Sequence, residues 1–364
     1  MTNDKTGKLI FKDGSTFEGK SFGALKSISG EVVFATGMVG YPEALTDPSF
    51  RGQILVLTFP LVGSYGVPNK ESFESDKIQV AGLIVSSYID TPSHHASEMT
   101  LGAWLKKEGV PALEIKDTRA LTLKLRDEGA TLGKILTNTS GTDIKFEDPN
   151  KRNLVAEVST KKILSCGEGE NTIVLIDCGA KKNIIRRMVQ RGVKVVVVPW
   201  DTDVTKLDFK FSGVVISNGP GDPKMVQATI KNVQKIMQKN IPILGICLGN
   251  QILALASGGN TYKLPFGHRS QNQPVVERVK NEKTGTKCFL TTQNHGFAVG
   301  KIPNNFREWF YNANDNTNEG IIHQSLPFMS VQFHPEDNPG PTDTDFIFDY
   351  FLEQIKKYQK TNEK

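Results

Sequence analysis

The sequence predicts an α/β protein: a C-terminal doubly wound, mostly parallel sheet preceded by a mixed, β-rich α+β domain. Three observations carry that prediction. From residue 172 onward, short continuous apolar runs alternate with amphipathic stretches of helix length, the pattern of parallel strands covered on both faces. Before residue 140, short β-patterned runs are broken by Gly, Pro and Asp turns. Between the two, "SGTDIKFEDPNKRN" and "TKKILSCGEGEN" are polar and glycine-containing and read as a connection. The expected domains are therefore 1–140, a linker over 141–171, and 172–364. A chain of 364 residues, 38 % hydrophobic and 23 % charged, is long enough for two such domains, each with its own core.

In the first domain the strand-like runs are "KLIF", "EVVFAT", "QILVLTFP" and "VAGLIVSSYI". Two helices follow, "EMTLGAWLKKEG" and "DTRALTLKLRDEG". The second starts at an Asp117 or Thr118 cap and stops at Gly129. In the second domain "TIVLIDCG" is a buried strand and "AKKNIIRRMVQRG" an amphipathic helix ending at Gly192. "VKVVVVPW" is the next strand, and "FSGVVISNGPGDP" a third running into a Gly/Pro loop. "MVQATIKNVQKIMQKN" is a helix and "IPILGI" a fourth strand. "FMSVQFHPE" alternates as a strand from Phe328 to Phe333, stopped by Pro335.

Several classes of partner are excluded. The net charge is +5, with no dense Lys/Arg block interleaved with aromatics, so no nucleic acid is expected. "MTNDKTGKLIF" has no apolar signal core. The longest apolar run, 241–259, carries Asn250, Gln251 and several glycines, which argues against a membrane span. The four cysteines, Cys166, Cys178, Cys247 and Cys288, show no CxxC pairing. That fits a cytoplasmic protein with no zinc site, no other metal and no disulfide framework.

Sites in open parallel sheets form at the C-terminal ends of strands. Cys247 sits there, one residue past "IPILGI", with Gly245 and Gly249 at ±2. G-x-C-x-G is the cysteine form of a nucleophile elbow, a tight strand-to-helix turn that pushes the side chain outward. The helix that follows aims its N-terminus at the thiol, favouring thiolate, and the Leu248 N–H points where an oxyanion would form. The competing reading makes Cys247 a small buried apolar residue. A thiol that attacks an amide needs a base. Of the six histidines, His94 and His95 lie in a polar loop, whereas His334 ends a strand with Glu336 two residues later. A carboxylate that close orients an imidazole and stabilises its protonated form. Spacing alone leaves open that His334 only caps the strand. The loop "SNGPGDP", 217–223, lacks the G-x-x-x-x-G-K-S/T and G-x-G-x-x-G patterns of phosphate cradles. Its glycines suit backbone N–H groups held close to a ligand, or an ordinary turn.

"GICLGNQ", "SNGPGDP", "TTQNHGFAV" and "FHPE" together resemble a class I, triad-type glutamine amidotransferase. "GEVVFATGMVGYPEALTDPSFRGQILVLTFPLVGSYGV", "DTRALTLKLRDEGA" and "DCGAKKNIIRRM" resemble the carbamoyl-phosphate synthase small subunit. The likeness runs over nearly the whole chain. It implies Cys247 as nucleophile with His334 and Glu336 completing the triad. It implies that Gly219, Gly221 and Leu248 line the scissile amide and that Gln251 contacts the substrate. Asn294, Gly296 and Phe297 would hold the amino-acid end of L-glutamine, and Ser49 would reach the same pocket from the first domain. The implied partner is a large subunit that carries ATP and Mg, this chain having no cofactor of its own, and the implied product serves arginine and pyrimidine synthesis. The amidotransferase part of another synthase, or a catalytically silent regulatory scaffold, are the alternatives. The sequence departs from the family pattern at Asn250, where "GICLGHQ" is usual, at "GHRSQNQP" (267–274) and at "TGMVGY". Asn250 bears on the control of basal glutaminase activity.

Overall fold

The computed structural model describes residues 6–137, 144–278 and 287–362. The expectations for residues 1–5 and for a boundary at 140 fall outside them. The chain divides into two compact units, residues 1–152 with 265–269, and residues 153–264 with 270–364.

In the first unit, seven strands close into a barrel: β1 (Thr6–Phe11), β2 (Thr16–Ser21), β3 (Ile28–Ala35), β4 (Gln53–Leu57), β5 (Gly82–Val85), β6 (Ala112–Glu114) and β7 (Thr131–Thr137), in the order β1-β2-β6-β5-β4-β3-β7. Helices α1 (Tyr41–Thr46), α2 (Leu101–Glu108) and α3 (Thr118–Glu128) accompany them. Successive residues of a strand face opposite ways, and here both faces are apolar. Val32, Ile54, Val56 and Ile84 pack with Leu121 and Leu125 of α3. Their neighbours Val33, Leu55, Leu83 and Val85 pack with Leu101 and Trp104 of α2. The Asp117 carboxylate caps α3, accepting from the Ala120 N–H at 2.8 Å. All four expected strands and both expected helices are present. Outside the expected runs lie β2, whose "TFEGKS" buries no residue fully, the three-residue β6 and β7. Barrel closure rests on pairing of residues far apart in sequence, such as Lys8 with Leu136, and no local pattern reveals it.

The second unit holds α4 (Val155–Val158), β8 (Leu164–Cys166), β9 (Asn171–Asp177), α5 (Lys182–Gln190), β10 (Val193–Pro199), β11 (Gly213–Ile216), α6 (Gln227–Gln238), β12 (Ile243–Ile246), α7 (Leu248–Ala256), β13 (Asn260–Glu277), β14 (Cys288–Lys301), β15 (Phe306–Asn312), β16 (Asn318–His323), β17 (Phe328–Val331) and α8 (Phe346–Asn362). Its sheet runs β14-β13-β15-β16-β17-β12-β11-β9-β10-β8. The neighbours β10, β9, β11, β12 and β17 are parallel. The flanks are antiparallel: β8 on β10, β16 on β17, β15 on β16 and β13 on β15. "Mostly parallel" thus holds for the centre alone. The centre is wound by crossover helices, whereas β15, β16 and β17 follow one another through short loops that permit antiparallel return. Residues 153–171, expected as a connection, contribute α4 and the edge strand β8 to this unit.

Both faces of the central strands are covered. Val174, Ile176, Val214 and Ile216 face α6 and α7 through Val233, Ile236, Ile252 and Leu253. Ile173, Leu175, Val215 and Leu244 face α5 and α8 through Ile184, Met188, Phe348 and Phe351. This is the doubly wound arrangement, which leaves the C-terminal strand ends free to carry a site.

Candidate active site

Strand β12 ends at Ile246 and α7 begins at Leu248, so Cys247 alone makes the turn. Its backbone lies at φ 54°, ψ −101°, a conformation that costs a non-glycine residue about 1–3 kcal/mol and persists only where its surroundings enforce it. The enforcement is visible. The Cys247 N–H donates to the Val331 carbonyl of β17 at 2.8 Å, and the Cys247 carbonyl accepts from the Asn250 N–H at 3.1 Å. A Cβ on Gly245 would fall 2.5 Å from the Gly249 carbonyl oxygen, and one on Gly249 would collide with the Ile216 carbonyl of β11. The G-x-C-x-G spacing is therefore a packing requirement, because helix and strands approach closer than side chains allow. Cys247 is 2 % exposed. Its Sγ lies 3.7 Å from the Asn294 carbonyl oxygen and 3.7 Å from Gln332 Nε2.

His334 follows β17, whose regular pairing ends at Val331, two residues short of the expected Phe333. The His334 N–H donates to the Thr292 carbonyl at 2.9 Å, a bridge to β14 that fixes the backbone beneath the ring. His334 Nδ1 is 2.7 Å from Glu336 Oε1. His334 Nε2 is buried with no hydrogen-bond partner among the described residues. An orphaned ring nitrogen in the interior is costly, and one beside a thiol is placed to exchange a proton with it. Burial by itself would lower the His334 pKa. The Glu336 carboxylate and Cys247 outweigh burial and hold it raised.

Glu336 is fully buried. Lys181 Nζ lies 3.1 Å from its Oε1, and this cation is itself almost fully buried. Burial pushes the Glu336 carboxyl up, but Lys181 and His334 overcome it and hold the group at about 2. Lys181 also donates to the Asp337 carbonyl, and Asn183 Nδ2 donates to the Glu336 carbonyl. Lys181 in turn is held by its N–H, which donates to Asn218 Oδ1 of the loop after β11 at 2.9 Å. A buried carboxylate between a lysine and an imidazole stays ionised, so the ring beside it favours the imidazolium form.

The other expected residues gather around this centre to different degrees. Leu248 is the first residue of α7, so its N–H has no partner within the helix. A Cβ on Gly219 would meet Leu248 Cδ2 at 2.9 Å, which places the "SNGPGDP" loop against that first turn. Gly221 faces Leu154. Gln251 of α7 donates to the Phe297 carbonyl at 2.7 Å and to Gln332 Oε1 at 3.1 Å. Asn294, Gly296 and Phe297 are consecutive or nearly so on β14, and the Asn294 carbonyl is the one facing the sulfur. Ser49 belongs to the first unit. It is buried on the 3-10 turn Pro48–Phe50, with its N–H donating to Asp47 Oδ1 at 2.9 Å.

Sequence reasoning missed Lys181, Asn183 and Gln332. Lys181 had one available signal, its place just past the C-terminal end of β9, but a surface lysine would read the same way. Nothing local ties it to Glu336, 155 residues later in the chain (336 less 181). Gln332 lies within "FMSVQFHPE", hidden beside the histidine it accompanies.

Comparison with known families gives consistent matches. The model for "Glutamine amidotransferase class-I" matches residues 174–354, and that for "Carbamoyl-phosphate synthase small chain, CPSase domain" matches residues 9–135. The chain is 44 % identical over 369 residues to the carbamoyl phosphate synthase arginine-specific small chain of Emericella nidulans, covering 97 % of this chain and 80 % of that protein. It is 50 % identical over 360 residues to the multifunctional protein CAD of Squalus acanthias, covering 95 % of this chain and 16 % of that one. It is 46 % identical over 398 residues to the multifunctional protein pyr-3 of Neurospora crassa, covering 97 % of this chain and 21 % of that one. The chain thus spans only 16 % and 21 % of the length of these two multifunctional relatives. With four-fifths of a small chain matched at this identity, and both family models met in order along the sequence, the chain belongs to the carbamoyl-phosphate synthase small chain family.

Proposed function

We propose that this chain is the glutamine-hydrolysing subunit of a carbamoyl-phosphate synthase. It would cleave L-glutamine to glutamate and ammonia and pass the ammonia to a large, ATP-dependent subunit that makes carbamoyl phosphate for arginine or pyrimidine synthesis. The observation that carries the reading is the buried, partnerless Nε2 of His334, with Glu336 on its other nitrogen and the strained Cys247 beside it.

The steps follow from the groups present. The Cys247 proton resides on His334 Nε2, and the imidazolium is held by Glu336, itself neutralised by Lys181. The sulfur attacks the side-chain amide carbon of glutamine. Negative charge gathers on the amide oxygen, where the Leu248 N–H and the Gly219 backbone meet it and the α7 dipole favours it. The imidazolium gives its proton to the departing nitrogen, which leaves as ammonia, and the acyl group stays on sulfur as a thioester. Neutral His334 then takes a proton from water, whose oxygen attacks the thioester. Glutamate is released and the proton returns to the Cys247–His334 pair. Gln251, Asn294, Gly296 and Phe297 would hold the amino-acid end of the substrate during both halves. A silent scaffold would have no need to keep Cys247 strained and one nitrogen of His334, Nε2, without a partner among the described residues.

The test compares synthesis of carbamoyl phosphate from glutamine and from free ammonia, using this chain with a large subunit. Cys247→Ser should abolish the first and spare the second. Loss of both, or of neither, would contradict the reading.

A further inference from the structure

Beside the sulfur lies a file of buried polar side chains, Gln332, Asn250 and Ser330, that the proposed steps do not use. Gln332 Nε2 is 3.7 Å from Cys247 Sγ. Gln332 Oε1 receives Asn250 Nδ2 at 3.2 Å and Gln251 Nε2 at 3.1 Å. Asn250 Oδ1 receives the Ser330 hydroxyl at 2.8 Å. Gln332, Asn250 and Ser330 are all fully buried.

The direction of this file is fixed by geometry. An amide drawn from atom positions can be turned end for end, unless some partner can only accept. The Phe297 carbonyl is such a partner. It lies 2.7 Å from the Gln251 amide, so the nitrogen of Gln251 faces it. That same nitrogen faces Gln332, so Gln332 presents its oxygen to Gln251 and its NH₂ to the sulfur. Asn250 then presents its NH₂ to the same oxygen, leaving its own oxygen for Ser330. Every donor in the chain, from Ser330 through Asn250 to Gln332, points toward Cys247.

We infer that Gln332 is a further catalytic residue, donating a hydrogen bond that favours the charged form of the Cys247 sulfur, and that Asn250 is a positioning residue acting through it. A thiol sulfur accepts weakly, whereas a thiolate accepts strongly, so a fixed donor favours ionisation. Besides His334, the sulfur faces the Asn294 carbonyl oxygen at 3.7 Å, which can pair with an S–H but opposes a negative sulfur. Gln332 sits across from that oxygen in sense and tips the balance. Asn250 and Gln251 together hold its oxygen and prevent the amide from turning over. Position 250, the departure from the "GICLGHQ" pattern, thereby gains a role that reaches the nucleophile without touching it.

This inference rests on the assignment of Cys247 as nucleophile. The experiment follows iodoacetamide alkylation of the full-length chain across pH, with the Cys247 peptide quantified by mass spectrometry so that Cys166, Cys178 and Cys288 are scored apart. Gln332→Leu should lower the alkylation rate at neutral pH by about tenfold, the scale of one hydrogen bond to a charged group, and should move the pH midpoint upward. Gln332→Glu, nearly the same shape, should move it further, since a carboxylate then faces the sulfur. Asn250→Leu should shift it in the same direction by less, and should add nothing in the Gln332→Leu background. Asn250→Leu keeps Gln332 in place and serves where Gln332→Leu does not fold. Profiles of the folded variants that superpose on the wild type overturn the inference while leaving the nucleophile intact. Glutamine hydrolysis by Cys247→Ser would remove both.

Discussion

Two neighbouring parallel strands, β12 and β17, each deliver part of the site, and they hold it by different means. At the end of β12 the agent is the backbone. Cys247 is forced to φ 54° because helix α7 packs on β11 too closely for any residue but glycine at position 249. At the end of β17 the agent is charge. His334 and Glu336 are buried together, and a lysine from the β9–α5 connection balances them. The backbone device has a local signature, its two glycines and thiol lying within five residues, and it closes on the Ile216 and Val331 carbonyls of the neighbouring strands. A charge device is assembled from strands far apart in sequence. The two should therefore break differently: the first by adding atoms, the second by removing one partner.

The largest effect is expected from the groups proposed to react. Cys247→Ser should abolish glutamine hydrolysis while glutamine still binds, because a hydroxyl has no comparably accessible anion. An assay of released ammonia beside a binding titration checks it. His334→Asn should reduce kcat by about two to four orders of magnitude. Glu336→Gln should cost less, since that residue orients and holds the imidazolium and moves no proton.

Next come the two supports, which set the comparison most sharply. Lys181→Met removes the cation beside a fully buried carboxylate, and breaking such a pair destabilises by about 3–5 kcal/mol. Urea midpoints of the variant against wild type measure this. Lys181→Met combined with Glu336→Gln should recover much of the stability, because no unpaired charge then remains, while activity stays low. Gly249→Ala should destabilise by about 1–3 kcal/mol through overpacking and lower kcat by displacing the thiol. A second change on the charge side would not rescue it. If it did, the two ends would be one device.

The smallest effect is a pH dependence of stability. His334 is raised above its ordinary 6.5 in the folded protein. Its contribution is therefore fully present below pH 6.5 and is lost as pH rises through the raised value. Glu336, held at about 2, contributes fully above the ordinary carboxylate range and loses its contribution as pH falls toward 2. The thermal midpoint of wild type should thus exceed that of His334→Asn most near pH 6, with the gap narrowing toward alkaline pH. A gap that widens with pH would mean that the ring is held neutral.

The same contrast explains what could be read from the sequence. The parallel centre of the second unit announced itself through "TIVLIDCG", "VKVVVVPW" and "IPILGI", since strands covered on both faces must be continuously apolar. The elbow was legible because its glycines and its thiol are neighbours. His334 and Glu336 were legible as a pair two residues apart. Lys181 was not, because its burial depends on how β9 lies beside β11 in the folded sheet. Gln332 was not, because its amide's direction is set by Phe297 through Gln251, both on other elements. The antiparallel strands β13 to β16 escaped for a related reason: they mix polar and apolar residues without a regular alternation, as in "NEGIIH" and "TTQNHGFAV", and only pairing makes them strands. Barrel closure in the first unit, with β1 meeting β7, is likewise a property of distant partners.

Cys247 is proposed to form a thioester with the glutamine side chain, with His334 as its proton partner. The direct measurement is an acid quench of the protein during turnover with isotope-labelled glutamine, followed by peptide mapping. Label is expected on the peptide carrying Cys247, absent from Cys247→Ser and greatly reduced in His334→Asn. Label on another residue, or glutamine hydrolysis that persists in Cys247→Ser, would contradict it.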